Sequence, residues 1–465
     1  MESFHLKELI RVLHGKFIVG NPNLLIKGIS IDSRTIKKGE AYFAIKGKRY
    51  NGHDFINEAL DKGAVAIVYS ENITNSVKSF SKFPSLIETN DTIVALGDFA
   101  KFYRSKFRNT KIIGITGSNG KTTTKEILAS ILSKKGKALS NKGNFNNRIG
   151  LPLSIFQLTS DVEYAVFEMG TSLHGEIKIL SDILKPDEGI ITNIGFSHLK
   201  TFISAEGVFE EKKILFDNVK EGGCIIINND NSFLKTIQNT DNHQIVTFAI
   251  DTTADVYVKN IELYSNKTDF GLFYKDNSVK VSIHAKGLFN VENALAAASC
   301  AIGLGFSLNE IKEGIETFTP PKMRMETLVT SSGVVLINDA YNANPSSIRQ
   351  AIQAVLQCYA GKKINLVLGD MLELGDKSED YHFELGKFIA NQNITSVALV
   401  GNMMINTRNA IGNKDVFYSD NQANLLKHLE QIAVDENYLF LFKGSRDMKL
   451  EEIYAKFYSI LEQKR

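Results

Sequence analysis

The sequence predicts an α/β protein of three domains, and three observations carry that expectation. The first is length: 465 residues correspond to roughly three domains at ~150 residues each. The second is a strand, glycine loop and helix at residues 111–132, KIIGITGSNGKTTTKEILASIL. The third is a regular alternation of apolar strands and amphipathic helices from residue 325 onward, which implies a mostly parallel sheet covered by helices. The expected division is a small N-terminal α/β substrate domain (1–100), a central P-loop ATPase-like parallel sheet with a small antiparallel excursion (101–320), and a C-terminal Rossmann-like α/β domain (321–465).

Composition narrows the function classes. Hydrophobic content of 43% and charged content of 23% are ordinary for soluble globular proteins. With 54 basic and 52 acidic residues the net charge is +2, which leaves no electrostatic footprint for nucleic acid or an anionic membrane. No apolar run approaches the ~20 residues of a membrane span. The first residues, MESFHLKELIRVL, read as an amphipathic helix containing acids, not as a signal peptide. Cys224, Cys300 and Cys358 are isolated and lack metal-ligand spacing, as expected of small core residues in a reducing, cytoplasmic compartment.

In the first hundred residues, 26–32, 41–45 and 64–69 read as strands, and Phe55, Ile56, Ala59 and Leu60 form one helix face. Asp32-Ser33-Arg34 and the stretch GKRYNGH at 47–53 fall in loops. They offer an arginine, donors and flexible backbone, which suit a diphosphate or nucleotide-sugar group. On spacing alone a solvated polar loop is the better account.

The glycine loop carries the strongest signal. Ile112, Ile113 and Ile115 form a buried strand, and Ile127, Leu128, Ile131 and Leu132 recur at helical spacing with Gly136 as a stop. Between them lie Thr116, Gly117, Ser118, Asn119, Gly120, Lys121, Thr122 and Thr123. Backbone N–H groups and the helix N-terminus there face an anion, Lys121 neutralises β/γ-phosphates, and the Thr122 hydroxyl holds Mg²⁺. The loop is the shorter T-G-x-x-G-K-T form, since Ile115 stands where the general pattern has its first glycine.

Further apolar runs at 165–167, 189–192 and 224–227 read as strands; the first ends in Glu168 and the second near Asn193, with His198 in the loop beyond. Ligands sit outside the carboxyl ends of parallel strands, so Glu168 and His198 fall on the rim of Lys121 if these strands are neighbours. A carboxylate and an imidazole there suit a second Mg²⁺ or its waters, although a lone histidine is as often structural. In the helix expected over 207–219, Lys212 has Val208, Phe209, Leu215 and Phe216 at −4, −3, +3 and +4, so it lies on the buried stripe. Such a lysine either snorkels or has depressed basicity and a special task; the residues alone favour snorkelling. Lys213 has Glu210 and Asp217 beside it and reaches water.

Residues 253–285 alternate apolar and polar with turns between, a small antiparallel excursion. Asn290 and Asn293 precede an Ala-rich helical run; their amides suit a purine edge, while helix capping is the simpler role. Pro320-Pro321 marks a linker with Arg324 just past it. Strands are then expected at 334–338, 364–368, 396–400 and 438–442, with helices near 346–359, 379–391, 421–433 and 449–463. Asp339, Asp370 and Lys443 stand just past strand ends, where binding groups gather. No GxGxxG turn follows these strands, so no dinucleotide cofactor is expected.

These motifs together resemble the Mur ligases, ATP-dependent amino-acid ligases of peptidoglycan precursor synthesis. TGSNGKTTTKE at 116–126 matches the family's ATP loop, and DSR at 32–34 with GHDFI at 52–56 resembles the N-terminal domain of its two later members. NFNNRIGLP at 144–152, DAYNANPSS at 339–347 and LGDMLELGD at 368–376 resemble the last member of the pathway. The DNPR motif of the preceding, diamino-acid-adding ligase is absent, and Asn342 and Asn344 stand where other members carry a histidine.

The resemblance implies ligation of D-alanyl-D-alanine to UDP-N-acetylmuramoyl-tripeptide through an acyl phosphate, by a cytoplasmic monomer using ATP and two Mg²⁺ ions. It implies that Lys121 contacts ATP phosphates and that Thr122, Glu168, His198 and Lys212 form the metal site, Lys212 as a carbamate. It makes Asn290 and Asn293 adenine-side residues, and Arg324 and Asp339 the link from the ATP site to the C-terminal domain, which binds the incoming dipeptide. Ser33 and Arg34 would hold the UDP end, and Asn146, Asn147, Lys443, Ser445 and Arg446 would line the substrate cleft. The alternatives are the preceding ligase, a folylpolyglutamate-type ligase, and, outside the class, a P-loop kinase or a nucleotide-controlled switch.

Overall fold

A computed structural model describes residues 1–13, 15–73, 84–237 and 242–463. Three sheets follow one another along the chain. The N-terminal sheet has five strands, ordered Lys16–Val19, Ser85–Glu88, Ala66–Tyr69, Glu40–Phe43 and Gly28–Ser30. Only the first pair is antiparallel. A short antiparallel pair, Phe4–His5 with Leu25–Ile26, lies beside it.

The central sheet has nine strands. Seven adjacent strands are mutually parallel, in the order Ala138–Ser140, Tyr164–Glu168, Lys111–Thr116, Glu188–Ile191, Cys224–Asn228, Gln244–Ala249 and Val256–Leu263. The strand Lys111–Thr116 therefore lies between Tyr164–Glu168 and Glu188–Ile191, and these three are buried on both faces, which explains their unbroken apolar runs. The antiparallel excursion is not separate. Val256–Leu263 pairs parallel to Gln244–Ala249 and then antiparallel with Thr268–Tyr274, extending the same sheet to Asn277–Ile283.

The C-terminal sheet has six strands: Glu326–Val329, Val335–Asn338, Tyr438–Lys443, Lys363–Gly369, Ser396–Val400 and Asp415–Ser419, parallel except for the first pair. Two of these strands and one helix are additions to the expected alternation: the edge strands Glu326–Val329 and Asp415–Ser419, and the helix Met404–Ile411. The helix Thr92–Ser105 seats on the central sheet's helices through Tyr103 Oη to Leu158 O (2.8 Å) and Arg104 Nη2 to Lys185 O (2.6 Å). No described helix is long and apolar enough to cross a membrane.

Candidate active site

Strand Lys111–Thr116 delivers its loop to the carboxyl edge of the central sheet, and helix Lys121–Leu132 leaves from it. Both loop glycines are required by geometry. Gly117 (φ 149°) and Gly120 (φ 80°) lie in the left-handed region. A Cβ at Gly117 would sit 1.9 Å from Thr192 Oγ1, and one at Gly120 2.0 Å from Asn293 Oδ1. The loop is therefore clasped between the next strand end and helix Leu288–Gly303. Lys121 folds back to donate to Gly117 O at 2.8 Å. Burial depresses its basicity, Glu168 opposes that, and the charge of Arg324 adds to it.

Thr122 Oγ1 donates to Glu168 Oε2 at 2.7 Å and accepts from Arg324 Nη2 at 2.9 Å. Arg324 also stacks 4.2 Å from the Tyr341 ring centre. Asn146 Nδ2 donates to the other oxygen of Glu168 at 2.8 Å. Asn141 brackets the Glu168 backbone, accepting from its N–H (2.9 Å) and donating to its carbonyl (3.1 Å). The fully buried Lys125 holds Asn141 in turn through its carbonyl at 2.5 Å.

Helix Ala205–Asp217 begins two residues earlier than its apolar spacing suggests, because Ser204 caps it by accepting from Gly207 N. Lys212 is 1% exposed. Burial drives its ammonium well below the ordinary lysine range; the nearby Lys121 adds to this, and Glu211 and Glu168 oppose it. Glu211 is already engaged, accepting from Gly175 N and Ile177 N.

The C-terminal sheet closes the other side. Lys443, 3% exposed, pairs with Asp339 at 2.6 Å and donates to Asn342 O at 3.0 Å. Asp339 Oδ1 accepts from Met325 N, fixing the turn that carries Arg324. Ser445 Oγ receives Leu372 N at 2.8 Å, and Arg446 pairs with Glu451 at 2.9 Å. The result is a cleft of about 580 Å³ lined from both sheets, by Ser118 to Thr123, Asn146, Asn147, Glu168, His198, Asn290 and Asn293 on one side and by Arg324, Asp339, Lys443, Ser445 and Arg446 on the other.

A glycine loop at a strand end, a carboxylate beside its hydroxyl and a buried lysine near them have a counterpart among known families. The model described as Mur ligase middle domain matches residues 115–301, that of the Mur ligase glutamate ligase domain 323–446, and that of the Mur ligase catalytic domain 25–105. A Bacillus subtilis protein named UDP-N-acetylmuramoyl-tripeptide–D-alanyl-D-alanine ligase is 36% identical over 92% of both chains. The chain belongs to the Mur ligase family.

An Escherichia coli protein of the same name is 32% identical, covering 97% of this Mur ligase and 98% of its own length. A crystal structure of MurF from Acinetobacter baumannii superposes with a TM-score of 0.89 at 31% identity, covering 98% and 99% of the two chains. MurF ligase from Thermotoga maritima in complex with ADP does so at 0.83 and 28% identity, covering 94% and 98%.

Some expected site residues of this Mur ligase lie elsewhere or are held differently. Ser33 and Arg34 lie in the turn after strand Gly28–Ser30 of the N-terminal sheet and do not line the cleft; Ser33 Oγ donates to Glu58 Oε2, and the exposed Arg34 pairs with Asp32. His198 lines the cleft but pairs with Glu373 of the C-terminal half at 2.6 Å, and this histidine holds the Glu373 carboxyl below its usual range. Both residues have positive φ (53° and 64°), so two strained backbones meet across the cleft. Among the described residues no three His, Cys, Asp or Glu side chains group closely enough to hold a metal alone. Asn290 and Asn293 do not cap their helix. It starts at Leu288 after Gly287, and Asn290 Nδ2 turns back to Lys286 O. Asp370 caps helix Met404–Ile411 by accepting from Met403 N and Met404 N.

Asn193 and Glu292 were not anticipated as site residues. Asn193 Oδ1 accepts from Asn119 N at 2.9 Å. Burial raises the Glu292 carboxyl to about 7, with the Asp230 charge adding to this and hydrogen bonds from Asn228 and Asn193 opposing it. The available signal for Glu292 was an acid placed between Asn290 and Asn293 on an otherwise Ala-rich helix.

Proposed function

We propose that this Mur ligase joins D-alanyl-D-alanine to UDP-N-acetylmuramoyl-tripeptide at the expense of ATP, yielding the pentapeptide precursor of peptidoglycan, ADP and phosphate. The observation that carries this reading is the convergence of Lys121, Thr122 and Glu168 of the central sheet with Arg324, Asp339 and Lys443 of the C-terminal sheet on one cleft. The names of relatives at 36% and 32% identity over more than nine-tenths of each chain support the same substrates, and the ADP complex of the Thermotoga maritima enzyme supports the nucleotide. The three sheets are assigned to a UDP-substrate domain (1–100), an ATP domain (101–320) and a dipeptide domain (321–465).

A carboxylate is a poor acyl donor because oxide is a poor leaving group. Transfer of the γ-phosphoryl group to the tripeptide's terminal carboxylate replaces it with phosphate. The amine of the dipeptide then attacks the acyl carbon, the C–O bond to phosphate breaks, and the amine gives up a proton. In this chain the loop N–H groups from Gly117 to Thr123 cradle the nucleotide phosphates. Lys121 releases its bond to Gly117 O and meets the transferring group, and Arg324 reaches the same oxygens from the C-terminal side. Asn290 and Asn293 stand on the base side. Asn146, Asn147, Lys443 and Arg446 line the path of the acyl and amine substrates. Ser33 and Arg34, far from the chemistry, hold the UDP end.

Glu168, Thr122 and the cleft-facing His198 offer oxygen and nitrogen donors of the kind Mg²⁺ and its waters accept. Glu168 and Thr122 already meet at 2.7 Å, so the residues fit the ion. Lys212 in its neutral form is the species that adds to CO₂: its nitrogen bonds the carbon, a proton leaves, and the carbamate supplies two further oxygens. Bound Mg²⁺ would screen the repulsion between the carboxylate and the triphosphate. The test is phosphate release with ATP, Mg²⁺ and UDP-MurNAc-tripeptide, with and without D-alanyl-D-alanine. Release that does not require the dipeptide would refute this reading.

A further inference from the structure

Glu292 lies on helix Leu288–Gly303 and forms the wall between the main cleft and a second cavity of about 360 Å³ behind the phosphate loop. Among the described residues no cation pairs with it; its neighbours are amides. Asn228 Nδ2 donates to Glu292 Oε1 at 2.5 Å and to Thr192 O at 3.0 Å, while the Asn193 amide, which donates to Asn119 O at 3.4 Å, lies close enough to the carboxyl to favour its charged form. These two asparagines govern the loop. Asn193 Oδ1 accepts from Asn119 N (2.9 Å), and Asn193 O accepts from Ser118 N (2.9 Å). Thr192 Oγ1 donates to Asn119 O at 2.5 Å.

The polarity of this chain is fixed by elementary hydrogen-bond chemistry. Asn193 can receive Asn119 N–H only with its Oδ1, which turns its NH₂ toward Glu292. A flipped amide would set two donors face to face, and the Glu292 carboxylate beside the NH₂, together with Asn119 O at 3.4 Å, opposes that flip. An acid held between two cavities with amide partners is an unusual placement, which makes it informative.

We propose that Glu292 is a positioning residue of the nucleotide site. It orients Asn193 and Asn228, and through them holds the Ser118 and Asn119 peptides in the shape that receives phosphate. This rests on the nucleotide assignment made above.

Calorimetric binding of ADP to the full chain and to Glu292→Ala and Glu292→Gln tests it, with UDP as a second ligand and kcat and KM for ATP alongside. Losing the acceptor is expected to weaken ADP by about 10-fold in the alanine variant. Glutamine keeps one acceptor and is expected to fall between alanine and the parent. KM for ATP should rise while kcat and UDP affinity stay within about twofold of the parent, a split that general loosening of the fold would not produce. An alanine variant that binds ADP as tightly as the parent overturns the proposal, as does equal loss of ADP and UDP binding. Should the alanine variant fail to fold, a glutamine variant indistinguishable from the parent overturns it. A parent chain that binds no ADP overturns the nucleotide assignment itself.

Discussion

Lys121 and Lys212 are both enclosed lysines of lowered basicity, and their environments assign them different work. Lys121 sits on the loop with Glu168 supporting its charge, so it is placed to meet anionic oxygen. Replacing it with alanine is expected to reduce the rate of ATP-dependent phosphate release by about 10²–10³-fold. Lys212 feels Lys121 as a second cation, which favours the neutral amine. Lys212→Ala is expected to be nearly inactive and to recover partly when short carboxylates are added to the assay; full activity without them would rule out a carbamate role. A third ionisable residue concerns stability. Glu188, at the opposite end of its strand, has its carboxyl raised by burial from 4.5 to about 7. Between those values the folded state holds more protons than the unfolded one, so stability falls as pH rises from about 4.5 to 7 and stays reduced above. Glu188→Gln should therefore stabilise the protein at pH 8, by roughly 2–3 kcal/mol at most, and have little effect at pH 5. Equal changes in denaturation midpoint at both pH values would contradict this. The burial of Lys212 was legible from four apolar neighbours at helical spacing. The Glu292–Asn193 pairing was not, because it joins residues about a hundred positions apart.

At the scale of elements, the strand, loop and helix around Lys121 were readable because the apolar periodicity and the glycine spacing that mark them are local, even though long-range bonds to Thr192 and Asn193 hold the loop. Gly117→Ala drives a methyl group toward Thr192 Oγ1 at a positive φ, and is expected to weaken ADP binding by at least about 10-fold while leaving UDP binding alone. Unchanged ADP affinity would show that the loop relaxes. Helix Met404–Ile411 was missed for a physical reason: its start is capped by Asp370, more than thirty residues upstream, so no local signal marks it. Asp415–Ser419 is a short edge strand bonded on one side only, where alternation is weakly imposed. The shift of helix Leu288–Gly303 past Asn290 and Asn293 has a similar origin. Its Ala-rich body packs against the loop helix, and the asparagines are drawn into its first turns, facing the cleft.

At the scale of the molecule, the central and C-terminal parts meet through apolar contacts, among them the Phe196 and Tyr381 rings 5.3 Å apart, and through a set of polar bridges at the cleft. Asn119 donates to Ser346 (2.9 Å) and accepts from Asn344 (2.8 Å), Arg324 reaches Thr122, and His198 pairs with Glu373. The polar bridges at the cleft can form and break as it opens and closes, which suits a cleft that must admit three substrates and then exclude water from an acyl phosphate. Solution scattering is expected to show a more compact particle once an ATP analogue and the UDP substrate are both present, and unchanged curves would count against closure. The division into three sheets was legible because length, the glycine loop and the α/β alternation point the same way. The bridges were not, since each depends on how the sheets dock. The measurement that reaches the central claim most directly is phosphate release with ATP, Mg²⁺ and UDP-MurNAc-tripeptide, with the product weighed by mass spectrometry. The account predicts release that depends on D-alanyl-D-alanine and a pentapeptide product; release without the dipeptide, or a requirement for UDP-MurNAc-dipeptide and a diamino acid instead, would contradict it.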